Sequence, residues 1–239
     1  APEAPLDVVD FRKWLLPRVI GGGERRQFSS HMIYDYGGFW LRQVVADGRR
    51  HAWLTYALIH LDSHHLVGNF LFIIPIGFSI EKRYGFVRTT AVMCMSAFAG
   101  VLAEVVVSDG RVILCGASAS AAGLLGFALI DLLICFRQLP YPYLRLIFLS
   151  IFSICLVSMV VVGAGRVAHA AHLAGLLTGL GPACVFVPKR GITLRKSRKR
   201  WWAVIGALCY TFCAFGAYVW ATKHLAALPV ALPTDPTEL

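Results

Sequence analysis

The apolar positions of this chain fall into long unbroken runs rather than into amphipathic stripes. Six runs are bounded by charge or by Pro and Gly, at about 56–80, 87–107, 114–136, 143–164, 167–187 and 201–222. Crossing the hydrocarbon core of a bilayer takes about 20 apolar helical residues, so each run predicts one spanning helix. The expected fold class is all-α, a polytopic transmembrane helical bundle with about six spanning helices. Residues 1–55 contain no such run. Gly21-Gly22-Gly23 and Gly37-Gly38 mark turns there, and Trp14, Phe39, Trp40 and Trp53 stand among Arg12, Lys13, Arg42, Arg49 and Arg50. That mixture predicts a non-membrane or interfacial region with aromatic rings at headgroup depth. The expected organisation is an N-terminal region and outer loop over 1–55, a helix bundle over 56–187, a basic loop over 188–200, an additional spanning helix over 201–222 and a tail over 223–239.

Composition strengthens the membrane reading. The 239 residues are 57% hydrophobic and 15% charged, against about 25% charged in a soluble domain. Much of the net charge of +10 lies between Lys189 and Arg200, beside two apolar runs. It therefore reads as a cytoplasmic anchor, with the lipid bilayer and not nucleic acid as the partner. The seven cysteines lie in or at the edge of apolar runs without CxxC spacing, which predicts buried thiols rather than disulfides or a zinc site. Lys and Arg are in excess at 81–88, 137–145 and 189–200, but not at 108–111 or 163–166. Alternating basic loops place those three on the cytoplasmic side and residues 1–55 on the other.

With that orientation, the first, third and fifth runs all enter the membrane from the outer face. His65 and Asn69, Ser118, and His172 then sit at similar depth, one group on each. Polar side chains at that depth are costly unless they face protein or water. On the third run Ser118, Ala122 and Gly126 share a face, and on the fifth His172, Gly175 and Gly179 do, the last two forming a GxxxG pair. Small faces let membrane helices approach closely, so packing of these stripes would bring the imidazole to the hydroxyl. A serine becomes a useful nucleophile when a neutral imidazole takes its proton and returns it to the leaving amine. Attack on an amide also builds an oxyanion. His65 and Asn69, at i and i+4, could aim side-chain N–H groups at it, joined by the backbone N–H of Ser118. Taken singly, a membrane serine usually bonds its own i−4 carbonyl and a lone histidine packs or lines a pore; the four together point to catalysis.

Three stretches carry a resemblance. Gly116-Ala-Ser118-Ala-Ser-Ala-Ala-Gly123-Leu-Leu-Gly126 resembles the serine motif of the rhomboid family of intramembrane serine proteases. Ala168-His-Ala-Ala-His172-Leu-Ala-Gly175 resembles its histidine helix, and His60 through Asn69 its HxxxN helix, followed by a loop-like Gly77 to Gly85. The resemblance implies Ser118 as nucleophile, His172 as general base and acid, and His65 with Asn69 as oxyanion stabilisers. It further implies cleavage of single-pass membrane proteins near the outer end of their spanning helix, without a cofactor, and an active site on the luminal or extracellular side.

The sequence departs from the family pattern at three places. Ala119 stands where the family has glycine, Ala122 where an aromatic often stacks on the histidine, and His51-Ala52 where a Trp-Arg pair is usual. Rhomboids also carry a spanning helix before the outer loop. None is visible in 1–55, so the chain is expected either to lack its natural N-terminus or to dispense with that helix, while 201–222 resembles the extra C-terminal helix of some eukaryotic members. Two other functions fit parts of the pattern. One is a catalytically weak or inactive relative that grips membrane helices; the other is a metal transporter using His60, His64, His65, His169 and His172.

Overall fold

The computed structural model describes residues 30–108, 112–162, 168–187, 218–219 and 222–223, excepting the side chains of 30–32, 42, 43 and 159–162. Among the described residues the regular elements are all helices, with one isolated antiparallel bridge, Phe39 to Leu114. Three short helices, α1 Ser30–Asp35, α2 Leu41–Ala46 and α3 Ala52–Thr55, precede five long ones. These are α4 Ser63–Tyr84, α5 Phe86–Ser108, α6 Ser118–Cys135, α7 Pro142–Val162 and α8 His169–Phe186. Among the described residues, α4, α5, α6 and α8 are long and apolar enough to cross a membrane, and Pro142–Ser158 is a shorter apolar stretch. The run expected at 201–222 lies almost wholly outside the described residues. Large apolar side chains such as Leu71, Ile74 and Phe78 on α4 and Leu173 and Leu177 on α8 face outward, as lipid-facing positions do.

The first run is displaced from its expected bounds of 56–80. Tyr56–Leu58 form a 3-10 turn, Ile59 is extended, and Asp62 caps the helix by accepting from the backbone N–H of His65 at 2.7 Å. An aspartate cap fixes a helix start more strongly than hydropathy does. At the other end the helix runs on through Lys82 and Arg83, which sit well at the negative end of its dipole, and stops at Gly85, whose φ is +88°. Pro75 lies inside the helix.

Three of the N-terminal aromatic rings expected to stand in an interfacial region are packed inside the protein. Phe39, Trp40 and Trp53 are buried in a core with Ala97, Val101, Leu102 and Val105 of α5, and the Phe39 and Trp53 rings meet edge-on with centroids 4.7 Å apart. Burial against α5 removes their apolar ring surface from solvent. Trp14 lies outside the described residues. This packed cap steers the segment that leads to Ser118. The Phe39–Leu114 bridge has N–H···O distances of 2.9 and 2.7 Å, Gly116 N–H donates to the Tyr56 carbonyl at 3.1 Å, and the Tyr56 hydroxyl donates to the Ala97 carbonyl at 2.8 Å.

At the centre, α6 and α8 cross with almost no side chain between them. A Cβ added at Gly179 would run into the backbone of Gly123, one at Gly126 into the carbonyl of Leu176, and one at Gly175 into the carbonyl of Ala119. The crossing thus follows Ala119, Gly123 and Gly126, one position round from the expected stripe of Ser118, Ala122 and Gly126. Backbones approach closest where Cβ is absent, and Gly123 has none while Ala122 does. The rotation leaves Ser118 at the edge of the crossing. The methyl of Ala119 is accommodated because Gly100 of α5 stands opposite it, where a Cβ would come 2.7 Å from the Ala119 Cβ.

Candidate active site

The sequence makes α6 begin at Ser118 because Gly116 turns the chain with φ +107°, a conformation costly for residues with a Cβ. A side chain at Gly116 would also strike the His65 ring, its Cβ lying 2.5 Å from Cε1 and 2.8 Å from Nε2. His65 is therefore packed over the turn that precedes Ser118. The backbone N–H of Ser118 opens the helix, where amides have no intrahelical acceptor.

His172 is on the first turn of α8 and buried. Its Nε2 lies 2.7 Å from the Ser118 Oγ. For the hydroxyl to donate, Nε2 must be the bare nitrogen and Nδ1 must carry the proton. Nδ1 is buried and has no hydrogen-bond partner among the described residues. The imidazole is thus held by the serine and by its own helix rather than by a third side chain, and no aromatic ring stacks on it among the described residues. This arrangement can remove a proton from Ser118 and hold it beside the reacting centre.

Asn69 lies one turn beyond His65, buried, and its Nδ2 donates to the His65 carbonyl at 2.9 Å. That bond uses one amide hydrogen and fixes the side chain on the α4 face that carries His65. His60, buried just before α4, donates from Nδ1 to the Leu58 carbonyl at 3.2 Å and packs edge-on against the His65 ring. Burial, and then the neighbouring His65, hold His60 below its ordinary value. Cys115 is the other candidate nucleophile nearby. Burial, then the carboxylate of Asp62, push its thiol up to about 11, so at neutral pH it stays a protonated and poorly nucleophilic thiol. The described cysteines, Cys94, Cys115, Cys135, Cys155 and Cys184, are all unbridged.

Two acidic residues, Glu104 and Asp131, stand inside apolar runs. Both are buried, at opposite ends of the bundle. Asp131 accepts from the Tyr84 hydroxyl at 2.5 Å and from Arg83 at 3.2 Å, with Arg145 at 3.9 Å. Glu104 accepts from the backbone N–H of Ala171 at 3.2 Å, next to His172. Its contact is with a backbone group on another helix, which periodicity does not reveal; its one signal was an acidic residue inside an apolar run. Among the described residues, no group of three or more His, Cys, Asp or Glu side chains could hold a metal ion, so His60, His64, His65, His169 and His172 do not converge on one.

Comparison with known proteins gives this constellation its context. The family model of the rhomboid domain matches residues 47–189. RHOMBOID-like protein 5 of Arabidopsis thaliana is 28% identical over 153 residues, 63% of this chain and 49% of its own. Rhomboid-like protease 1 of Toxoplasma gondii is 26% identical over 137 residues, 57% of this chain and 47% of its own. Rhomboid-related protein 2 of Mus musculus is 27% identical over 179 residues, 70% of this chain and 59% of its own. The chain thus spans about half the length of the curated relatives it matches. The match takes in every helix that carries Ser118, His172, His65 and Asn69, within a bundle of membrane-spanning helices, and the chain belongs to the rhomboid family.

Proposed function

We propose that this protein is an intramembrane serine endopeptidase that cleaves single-pass membrane proteins near the outer end of their transmembrane helix. The observation that carries the reading is the 2.7 Å contact between His172 Nε2 and Ser118 Oγ. In the first step Ser118 attacks the scissile carbonyl while His172 takes its proton. The C–N bond then breaks, His172 gives the proton to the leaving amine, and the acyl group stays on Ser118. Water, activated by His172, next breaks the ester and restores the hydroxyl. The oxyanion of each step would be met by the Ser118 backbone N–H and by the side chains of His65 and Asn69; one such donor typically supplies about 2.7–4 kcal/mol. No cofactor enters this chemistry.

In this reading residues 56–187 are the catalytic bundle and 1–55 the outer region. The same reading assigns 188–200 to a basic cytoplasmic loop, 201–222 to an additional spanning helix and 223–239 to a tail, nearly all of it outside the described residues. The basic loops at 81–88 and 137–145, at the end of the bundle opposite Ser118, support an active site on the luminal or extracellular side by the positive-inside rule. A second reading, a weak or inactive relative that binds membrane helices, is favoured by one observation: among the described residues His172 has neither a partner for Nδ1 nor a stacked ring to steady it.

A panel of tagged single-pass substrates incubated with the wild type, Ser118→Ala and His172→Ala separates the two. The protease reading requires cleavage by the wild type and its loss in both folded variants. Helix binding without any cleavage by a folded wild type would establish the second reading instead.

A further inference from the structure

Helix α8 begins on Ala168, whose methyl group cannot cap it. The amide of Ala171 lies in the first turn, is buried, and would be an orphan donor without outside help. Glu104 of α5 supplies the acceptor, its Oε2 standing 3.2 Å from that amide. A carboxyl group buried inside a membrane bundle is costly and must be compensated by its partners, so its position here calls for a reason. Gly100, one turn earlier on the same face of α5, gives the other half of the arrangement. It approaches so closely that a Cβ there would come 3.1 Å from the Ala171 carbonyl oxygen. The backbone of Ala171 is therefore held on both sides by α5, its amide by Glu104 and its carbonyl against Gly100. The next residue is His172, whose ring has Ser118 as its one hydrogen-bond partner among the described residues. With no third side chain to orient the imidazole, its placement depends on the turn that carries it.

We propose that Glu104 is the positioning residue for His172, acting through the backbone amide of Ala171 rather than on the imidazole. The assignment of a catalytic consequence rests on the protease reading above; the hold on the turn does not. What the arrangement needs is an acceptor oxygen at the right reach, and a glutamine can supply one where a methionine of similar shape cannot. Aspartate keeps the carboxylate but withdraws it by one methylene.

The test uses the full chain in detergent with Glu104→Gln, Glu104→Met and Glu104→Asp, each checked for thermal unfolding. Two quantities are read: amide hydrogen exchange over 168–175, and the rate of labelling by a fluorophosphonate probe as a function of probe concentration. Glu104→Met should speed exchange in the first turn of α8 by about tenfold or more. It should also lower the maximal labelling rate about ten- to a hundredfold, with the half-saturating probe concentration unchanged. Glu104→Gln should stay within about threefold of the wild type in both quantities, because the acceptor is kept. If the methionine variant does not fold, Glu104→Asp is expected to show the same losses. Wild-type exchange in Glu104→Met or Glu104→Asp would overturn the proposal, as would a Glu104→Gln variant as impaired as the methionine one. A wild type that does not label at all would remove the protease reading, while the exchange comparison would still decide whether Glu104 holds the turn.

Discussion

His172 Nε2 and Ser118 Oγ lie 2.7 Å apart although 54 residues separate them in the chain. What brings them together is a crossing of α6 and α8 in which glycines at 123, 126, 175 and 179 leave backbone against backbone. The dyad therefore depends on the absence of side chains a turn or more away from it.

That dependence makes Gly179 a sensitive position. A Cβ there meets the Gly123 backbone, which cannot rotate aside as a side chain could. Gly179→Ala should destabilise the protein by at least about 1–3 kcal/mol and reduce dyad reactivity. Gly181→Ala, on the same helix with open space around it, should be neutral or stabilising by up to about 1 kcal/mol. Thermal unfolding of the two variants side by side checks this, and equal effects would contradict the packing described here.

Stability and chemistry should separate at the other end of the bundle. Asp131 is buried and shared by Tyr84, Arg83 and Arg145, and it lies about 20 Å along α6 from Ser118. Asp131→Ala leaves cationic and hydroxyl partners without their acceptor and should cost about 3–5 kcal/mol. The fraction that remains folded should label with a serine probe at the wild-type rate. A variant that is stable but unreactive would place Asp131 in the catalytic machinery.

His60 predicts a pH dependence of folding. Its ordinary value of 6.5 is lowered in the folded protein, first by burial and then by the neighbouring His65. Above pH 6.5 His60 is neutral in both states and its contribution is constant. As the pH falls below 6.5 the unfolded chain takes up a proton that the folded chain resists, so stability declines until the lower, folded value is passed. Melting temperature measured from pH 7.5 downward should fall less steeply for His60→Gln than for the wild type; parallel curves would show that His60 is not the group responsible.

Much of this was legible in the sequence, for identifiable physical reasons. Long apolar runs have one solution in a bilayer, so the helices at α5, α6 and α8 fell close to their expected bounds. The candidate dyad was readable because the basic loops alternate and so set the depth of Ser118 and His172. Three features were not readable. The start of α4 is fixed by Asp62 bonding a backbone amide, an effect weaker in hydropathy than the apolar residues before it. Phe39, Trp40 and Trp53 looked interfacial because their neighbours are arginines, yet they pack on α5, a contact made across more than forty residues of chain. Glu104 bonds the backbone of another helix, and nothing in its own helix signals that partner.

The account stands most directly on whether Ser118 is an activated nucleophile. Folded protein in detergent is treated with a fluorophosphonate probe, and the labelled residue is located by peptide mass analysis in the wild type, Ser118→Ala and His172→Ala. The account predicts covalent labelling at Ser118 in the wild type and none in either variant. A folded wild type that fails to label, or one that labels equally well without His172, would contradict it.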